Sequence, residues 1–366
     1  MAKAARKVIG GVDTHADKHC VAALDSAGRL LGVREFDSDR KGCEQLLGWL
    51  RRHGQLTAVG VEGCGSYGAG LMRLLSERGV RVVEVDRPNR QARRRHGKSD
   101  PLDAEAAARA VLAGVADGTP KTRDGVVEAI RVLRITRGGA VKARTAALNS
   151  LISLSRTAPE PLASQLRGLS ARRLVTIVVH YRIPVAHDAA ARAVQLADPV
   201  TATKLALRRL AQRVRELDSE ITAADKDLKA LVSATAPDLL ARHGVGIDTA
   251  GQLLITAGDN PQRLADDRAF AALTGTSPLP ASSGRTDRHR LNRGGDRAAN
   301  RALFSVALSR MATHQPTKDY VQRRTKDGLS KREIIRCLKR YIARELFPFI
   351  IAALNPQPPA ALPAAA

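Results

Sequence analysis

The stretch VIGGVDTHADKHCVAALDSAGRLLGVREF, residues 8–36, decides the fold of the first part of the chain. VIGGVD (8–13) reads as a strand ending in a carboxylate, and KHCVAALD (18–25) reads as a second. Asp25-Ser-Ala-Gly28 is a turn signal, and LLGVREF (30–36) has the period-2 character of a third strand. The spacing predicts a three-stranded antiparallel meander. Residues 40–53 then switch to helical spacing, with Leu46, Leu47, Trp49 and Leu50 on the apolar side. TAVGVE (57–62) is a short apolar strand that again ends in a carboxylate. A helical stripe of Leu71, Leu74 and Leu75 within 66–78 closes at Gly79, and VRVVEV (80–85) makes a fifth strand. The order βββαβαβ is an α/β arrangement, a mixed sheet flanked by helices.

Further along, residues 87–98 contain Arg87, Arg90, Arg93, Arg94, Arg95 and Lys98 with no acid. Asp100 precedes Pro101 and an Ala-rich helix running to about Ala113, which makes Asp100 a candidate N-cap. Residues 125–155 and 203–233 read as long helices. In the second, Leu207, Leu210, Val214, Leu217, Ile221, Ala224 and Leu228 form a heptad seam. An antiparallel helical hairpin or a dimerising coiled coil fits that pattern. GVGIDTAGQLL (244–254) resembles a helix-hairpin-helix, whose glycines let backbone N–H groups approach a phosphate, and reads equally as a helix–turn–helix connection that needs Gly for its backbone geometry. Residues 275–301 are polar, glycine-bearing and basic, and the tail from Pro356 is Pro/Ala-rich. The expected organisation is an α/β domain at 1–123, an all-α, coiled-coil segment at 124–236, a mainly helical domain at 237–355 and a disordered tail at 356–366.

The formal charge of the 366-residue chain is +24, a surplus that points to a polyanionic partner. With one Trp, four Tyr and five Phe, base-stacking sheet modules are disfavoured. No run of 18 or more apolar residues predicts a membrane span, and the first residues do not form a secretory signal. The four cysteines include no CxxC pair, which argues against a zinc or disulfide scaffold and for a cytoplasmic location.

Four acids stand out. In a βββαβαβ sheet the first and fourth strands can lie side by side, so that Asp13 and Glu62 meet at one edge. Asp100 and Asp103 are three apart and share a helix face. Convergent carboxylates repel, and hard divalent cations such as Mg²⁺ relieve the repulsion. Two such ions about 4 Å apart serve phosphoryl transfer. Each acid taken alone reads more simply as a turn or cap residue, and it is their conjunction that points to a metal site.

VDTHADKH around Asp13, VGVEGCGSYG around Glu62 and GKSDPLDAEAAA around Asp100 and Asp103 resemble the DEDD transposases of the insertion sequence one-ten family. The resemblance spans about residues 8–350 and implies a RuvC-like (RNase H-like) first domain, with Asp13, Glu62, Asp100 and Asp103 as its metal-binding catalytic tetrad. A second block, LTGTSPLPASSGRTDRHRLNRGGDRAANRALF (273–304), is similar to the family's C-terminal transposase domain. There the serine directly before a glycine is the implied nucleophile, here Ser283 before Gly284, with Ser282 as the neighbour that competes for the role. The chain reads SSGRTDRHRLNRGGD where a Ser-Gly-Gly form is commoner, which bears on the choice between the two serines.

The chemistry implied is a recombinase that cuts and rejoins DNA through a transient phosphoserine, with two Mg²⁺ ions at a composite site. Arg285, Arg288, Arg290 and Arg293 are placed to hold the scissile phosphate, and Arg93, Arg94, Arg95 and Lys98 form a nucleic-acid rail. The resemblance also implies DNA partners at the element ends and target, a noncoding guide (bridge) RNA, a homo-oligomer (dimer or tetramer) and a bacterial, nucleoid-associated location. A water-using RuvC-like junction resolvase is the alternative enzyme, and a basic helical packaging protein is the alternative without chemistry.

Overall fold

The computed structural model describes residues 6–85, 99–184, 186–282, 284 and 288–355. Arg93, Arg94, Arg95, Lys98, Ser283, Arg285 and the tail from Pro356 therefore lie outside the described residues. The chain divides into two compact units, one of residues 1–124 with 258–265, the other of 125–257 with 266–366.

The first unit is built on strands β1 (Lys7–Thr14), β2 (Lys18–Asp25), β3 (Leu30–Asp37), β4 (Gln55–Glu62) and β5 (Val82–Val85), with helices α1 (Arg40–Arg52), α2 (Ala69–Glu77) and α3 (Asp100–Leu112). The sheet order is β3-β2-β1-β4-β5. β1–β2 and β2–β3 are antiparallel, the meander expected from residues 8–36, whereas β1–β4 and β4–β5 are parallel. Each parallel connection passes through a helix, as it must.

Alternation along the strands sends successive side chains to opposite faces. Val8, Val12, Val21, Val59 and Val61 pack with Leu46 and Leu50 of α1 and with Leu71 and Leu75 of α2. The opposite face carries Cys20 and Ala22 against Ala104 of α3. Burial pushes the Cys20 and Cys64 thiols up to about 11 and about 12, so neither is a thiolate at neutral pH. The segment 258–265 returns to this unit from far along the chain. Asn260, 5% exposed, donates to the Pro120 carbonyl at 2.9 Å and accepts from the Thr122 amide at 3.3 Å.

The second unit is largely helical: α4 (Val126–Arg156), α5 (Leu162–Leu166), α6 (Ala171–Val178), α7 (Ala189–Ala197), α8 (Pro199–Thr235), α9 (Pro237–Leu240), α10 (Ile247–Ala257), α11 (Asp267–Leu273), α12 (Arg297–Thr313), α13 (Gln315–Lys326) and α14 (Lys331–Leu354). Between α11 and α12 sits a small antiparallel hairpin, β6 (Leu279–Pro280) with β7 (His289–Arg290). Helices α4 and α8 pair antiparallel, held at the surface by Arg137–Asp225 and Arg144–Asp218. Leu207, Val214 and Leu228 of the heptad seam are buried, and Leu207 joins Leu151, Leu162 and Leu174 in one core. No helix of the described residues is long and apolar enough to cross a membrane.

Candidate active site

The parallel pairing of β1 and β4 runs in register through Gly11↔Gly60 and Val12↔Val61. Asp13 and Glu62 are the next residues on each strand, so both stand at the carboxyl end of the sheet. Alternation puts them on the face of Gly11 and Gly60, which is the α3 face. The Thr14 hydroxyl donates to the Glu62 carbonyl at 2.8 Å and ties the two strand ends together.

The two glycines decide how closely α3 approaches. A Cβ on Gly11 would sit 2.2 Å from both the Ala104 carbonyl oxygen and the Ala108 nitrogen. On Gly60 it would sit 2.7 Å from the Val111 side chain and 2.9 Å from the Ala107 carbonyl oxygen. With no side chains there, the helix lies on the strands, and its first turn comes to the strand ends. Small residues on the helix complete the fit: Ala104, Ala107 and Ala108 are all buried.

Asp100 does not cap this helix, contrary to the expectation from Asp-Pro. Ser99 is the N-cap residue, in extended conformation and without a side-chain capping bond. Asp100 and Pro101 begin the helix, and Asp103 lies in the same first turn. The helix N-terminus favours negative charge, which helps a helix begin with two acids. Asp103 is buried at 6% exposure and Asp13 at 7%, while Asp100 and Glu62 are partly exposed.

Among the described residues, the cluster able to hold a metal ion is Asp13, His15 and Asp100, whose ligand atoms all lie within 4.8 Å of one another. His15 Nε2 is 3.2 Å from Asp13 Oδ2 and 3.4 Å from Asp100 Oδ1. Residue-by-residue reading of the sequence gave His15 no part, because a lone histidine after a strand carries no spacing signal. Burial raises the Asp13 carboxyl above its ordinary range. His15 opposes the shift, and the charges of Asp103 and Asp100 add to it. Crowded oxygen donors are the set a hard divalent cation stabilises, so the residues fit such an ion.

In the second unit, Ser282 and Gly284 are exposed at the tip of the β6–β7 hairpin. Ala281 donates to the Arg288 carbonyl at 2.7 Å and closes the turn between them. Arg288, Arg290 and Arg293 are exposed on the hairpin and the segment after it. The Gly-Gly of the basic block braces the hairpin base: Gly295 has φ 79°, and a Cβ there would meet the Gly275 nitrogen at 2.5 Å. Asp296 then caps α12 through the amides of Ala298 and Ala299.

Residues 10–158 match a DEDD-type IS110 family model described as a transposase, and residues 237–322 match the model of the transposase IS116/IS110/IS902 family. The mini-circle protein for IS117 of Streptomyces coelicolor, named as a transposase, is 27% identical over 322 residues, covering 76% of this chain and 78% of that protein. The 43.6 kDa protein of insertion element IS110 from the same organism is 30% identical over 142 residues, 38% of this chain and 35% of its own length.

Proposed function

The chain belongs to the IS116/IS110/IS902 family of transposases, and from that premise we propose that it cuts and rejoins DNA through the Asp13–Glu62–Asp100–Asp103 cluster and a transient bond to Ser283. The observation that supports this most is the convergence at one sheet edge. Two acids stand at the ends of parallel neighbouring strands, and two more open the helix laid across the same face. A RuvC-like reading of the first domain is consistent with the mixed five-stranded sheet that carries these acids.

When bound, divalent cations, here Mg²⁺ and two per site, supply Lewis-acid stabilisation of charge on the phosphoryl oxygens. The four carboxylates would hold them. His15, beside Asp13 and Asp100, orients those two carboxylates. The Ser283 hydroxyl attacks phosphorus: its oxygen forms a new P–O bond as the bond to one sugar oxygen breaks, and the proton that the serine gives up ends on the leaving sugar oxygen. Because the phosphoester is conserved in the phosphoserine, a second sugar hydroxyl can displace the serine and reseal the strand without ATP. Arg285, Arg288, Arg290 and Arg293 bind the phosphate as it reacts, and Arg93, Arg94, Arg95 and Lys98 hold flanking backbone. A guide RNA that pairs with element ends and target, and assembly into a dimer or tetramer, belong to the same reading.

The test is a denaturing gel of protein incubated with labelled element-end DNA and Mg²⁺. Wild-type protein and Ser282→Ala should leave DNA attached to protein, and Ser283→Ala should not. Cutting by the wild type with no adduct would favour hydrolysis by water, as in a junction resolvase.

A further inference from the structure

The hairpin that bears the serines frames a cavity of about 510 Å³ with helices α13 and α14. We propose that this cavity is a phosphate subsite that grips one backbone phosphate of the DNA strand delivered to the hairpin tip. The identity of the strand rests on the serine reading above, whereas the anion chemistry stands on the cavity itself.

Six cations line it: Arg288 and Arg290 from the hairpin, Arg324 from α13, and Arg336, Lys339 and Arg340 from α14. The two acids in the lining, Asp327 and Glu333, are already engaged. Asp327 accepts from Arg324 at 2.9 Å, and Glu333 closes the capping box with Ser330. The cavity therefore keeps a surplus of positive charge after its internal pairs are made.

Two donor atoms of its lining residues also lack acceptors. Arg324 Nε and Arg340 Nη1 are buried and have no hydrogen-bond partner. A guanidinium cannot shed its proton, so each of these N–H groups in the cavity's lining residues still calls for an acceptor. The other side of each fork is fixed, Arg324 on Asp327 and Arg340 on Asp267 at 2.7 Å, which holds both guanidinium groups in the lining. Lys339 is 7% exposed, and its ammonium donates to the neutral Asn300 side chain at 2.7 Å. Burial, with Arg336 nearby, pulls it below the ordinary ammonium range, and an anion in the cavity would reverse that pull. Asn300 in turn donates to the carbonyls of Thr274 and Gly275, so the lysine and the hairpin base are held by one side chain.

Phosphate oxygens match forked guanidinium donors. The cavity is larger than one phosphate needs, and Tyr341, 46% exposed, lies in its wall as a surface for the attached sugar or base. A strand seated there lies at the root of the hairpin whose tip carries Ser282 and Gly284.

The experiment measures binding of the full-length protein to a fluorescent single-stranded DNA oligomer in metal-free buffer, across a salt series. Arg336→Gln removes a cavity cation. Arg340→Lys keeps the charge and the reach to Asp267 but removes the guanidinium fork. Each should weaken binding about tenfold; Arg336→Gln should also lower the salt slope by about 0.7, the value for one phosphate on a single strand, whereas Arg340→Lys, which keeps its charge, should leave the slope in place. Melting temperature should stay at the wild-type value in both. Wild-type affinity and slope in both variants would overturn the subsite whatever the adduct assay gives. Absence of an adduct in wild-type protein would overturn the serine reading and leave this result standing. If an RNA oligomer of the same sequence loses affinity in the variants and the DNA does not, the assignment to DNA is overturned.

Discussion

Gly11 and Gly60 face each other across the parallel β1–β4 pair, and a side chain on either would run into helix α3. Two residues further along each strand stand Asp13 and Glu62. The contact that seats the helix and the acids that helix meets are thus one structural unit.

Gly11→Ala should be severely destabilising, because the new Cβ would meet backbone atoms at 2.2 Å and no rotamer change can relieve it. A loss of about 3 kcal/mol is expected, with cutting activity lost as α3 shifts. Gly48, inside α1 with nothing within 4 Å of its would-be Cβ, is the control. Gly48→Ala should raise stability by about 0.5–1 kcal/mol. Thermal melts of both variants check the pair.

Asp13→Asn should abolish cutting and leave DNA binding intact. The Asp13 carboxyl titrates above its ordinary 3.8 in the folded chain, so folding takes up a proton. Its contribution to stability is full below that ordinary value and is lost as pH rises through the folded one. At neutral pH the ionised carboxylate opposes folding. The variant should therefore melt higher than wild type in metal-free buffer, and Mg²⁺ should raise the melting temperature of the wild type alone. A variant that melts lower at pH 7 without metal would contradict the crowding of charge at this edge.

Glu345 makes the opposite case. It accepts two hydrogen bonds from Arg310, at 2.6 and 2.8 Å, and Arg310 is almost wholly buried. Those bonds hold the Glu345 carboxyl below its ordinary 4.5, so their stabilisation is present above that value and is lost as pH falls through the folded one. Water reaches the half-exposed Glu345, which limits the pair's worth. Glu345→Gln should cost about 2 kcal/mol at pH 7, and the gap to wild type should close below about pH 4.

Affinity for duplex DNA should fall linearly in log–log form with salt, by about 0.9 per phosphate neutralised. Replacing Arg93, Arg94 and Arg95 together should flatten that slope. A slope already flat in the wild type would mean that the +24 charge serves another purpose.

The succession of strands and the antiparallel meander were legible because period-2 apolar runs and turn residues are local signals, whereas the parallel pairing of Asp13's strand with Glu62's was an arrangement the element order allowed and the folded sheet shows. The seating of α3 was not. VIGGVD and TAVGVE announce strands, but only the folded sheet brings Gly11 and Gly60 together under one helix. Asp100 misled for a related reason. Asp before Pro is a strong capping signal, yet here Ser99 takes the cap position and leaves Asp100 one residue inside the helix. The hairpin at 279–290 was hidden too, since two paired residues on each side give no periodicity to read.

The return of residues 258–265 to the first unit has a genetic consequence. A gene cut after codon 124 would encode a unit lacking Asn260, and with it the acceptor for the Thr122 amide and the donor to Pro120. It would also lack Arg263, which donates to the Thr119 carbonyl at 3.2 Å. The chain crosses between the units three times rather than once. Fusion or recombination at a single junction would therefore not exchange the carboxylate half cleanly, and the two halves are bound to be inherited as a pair.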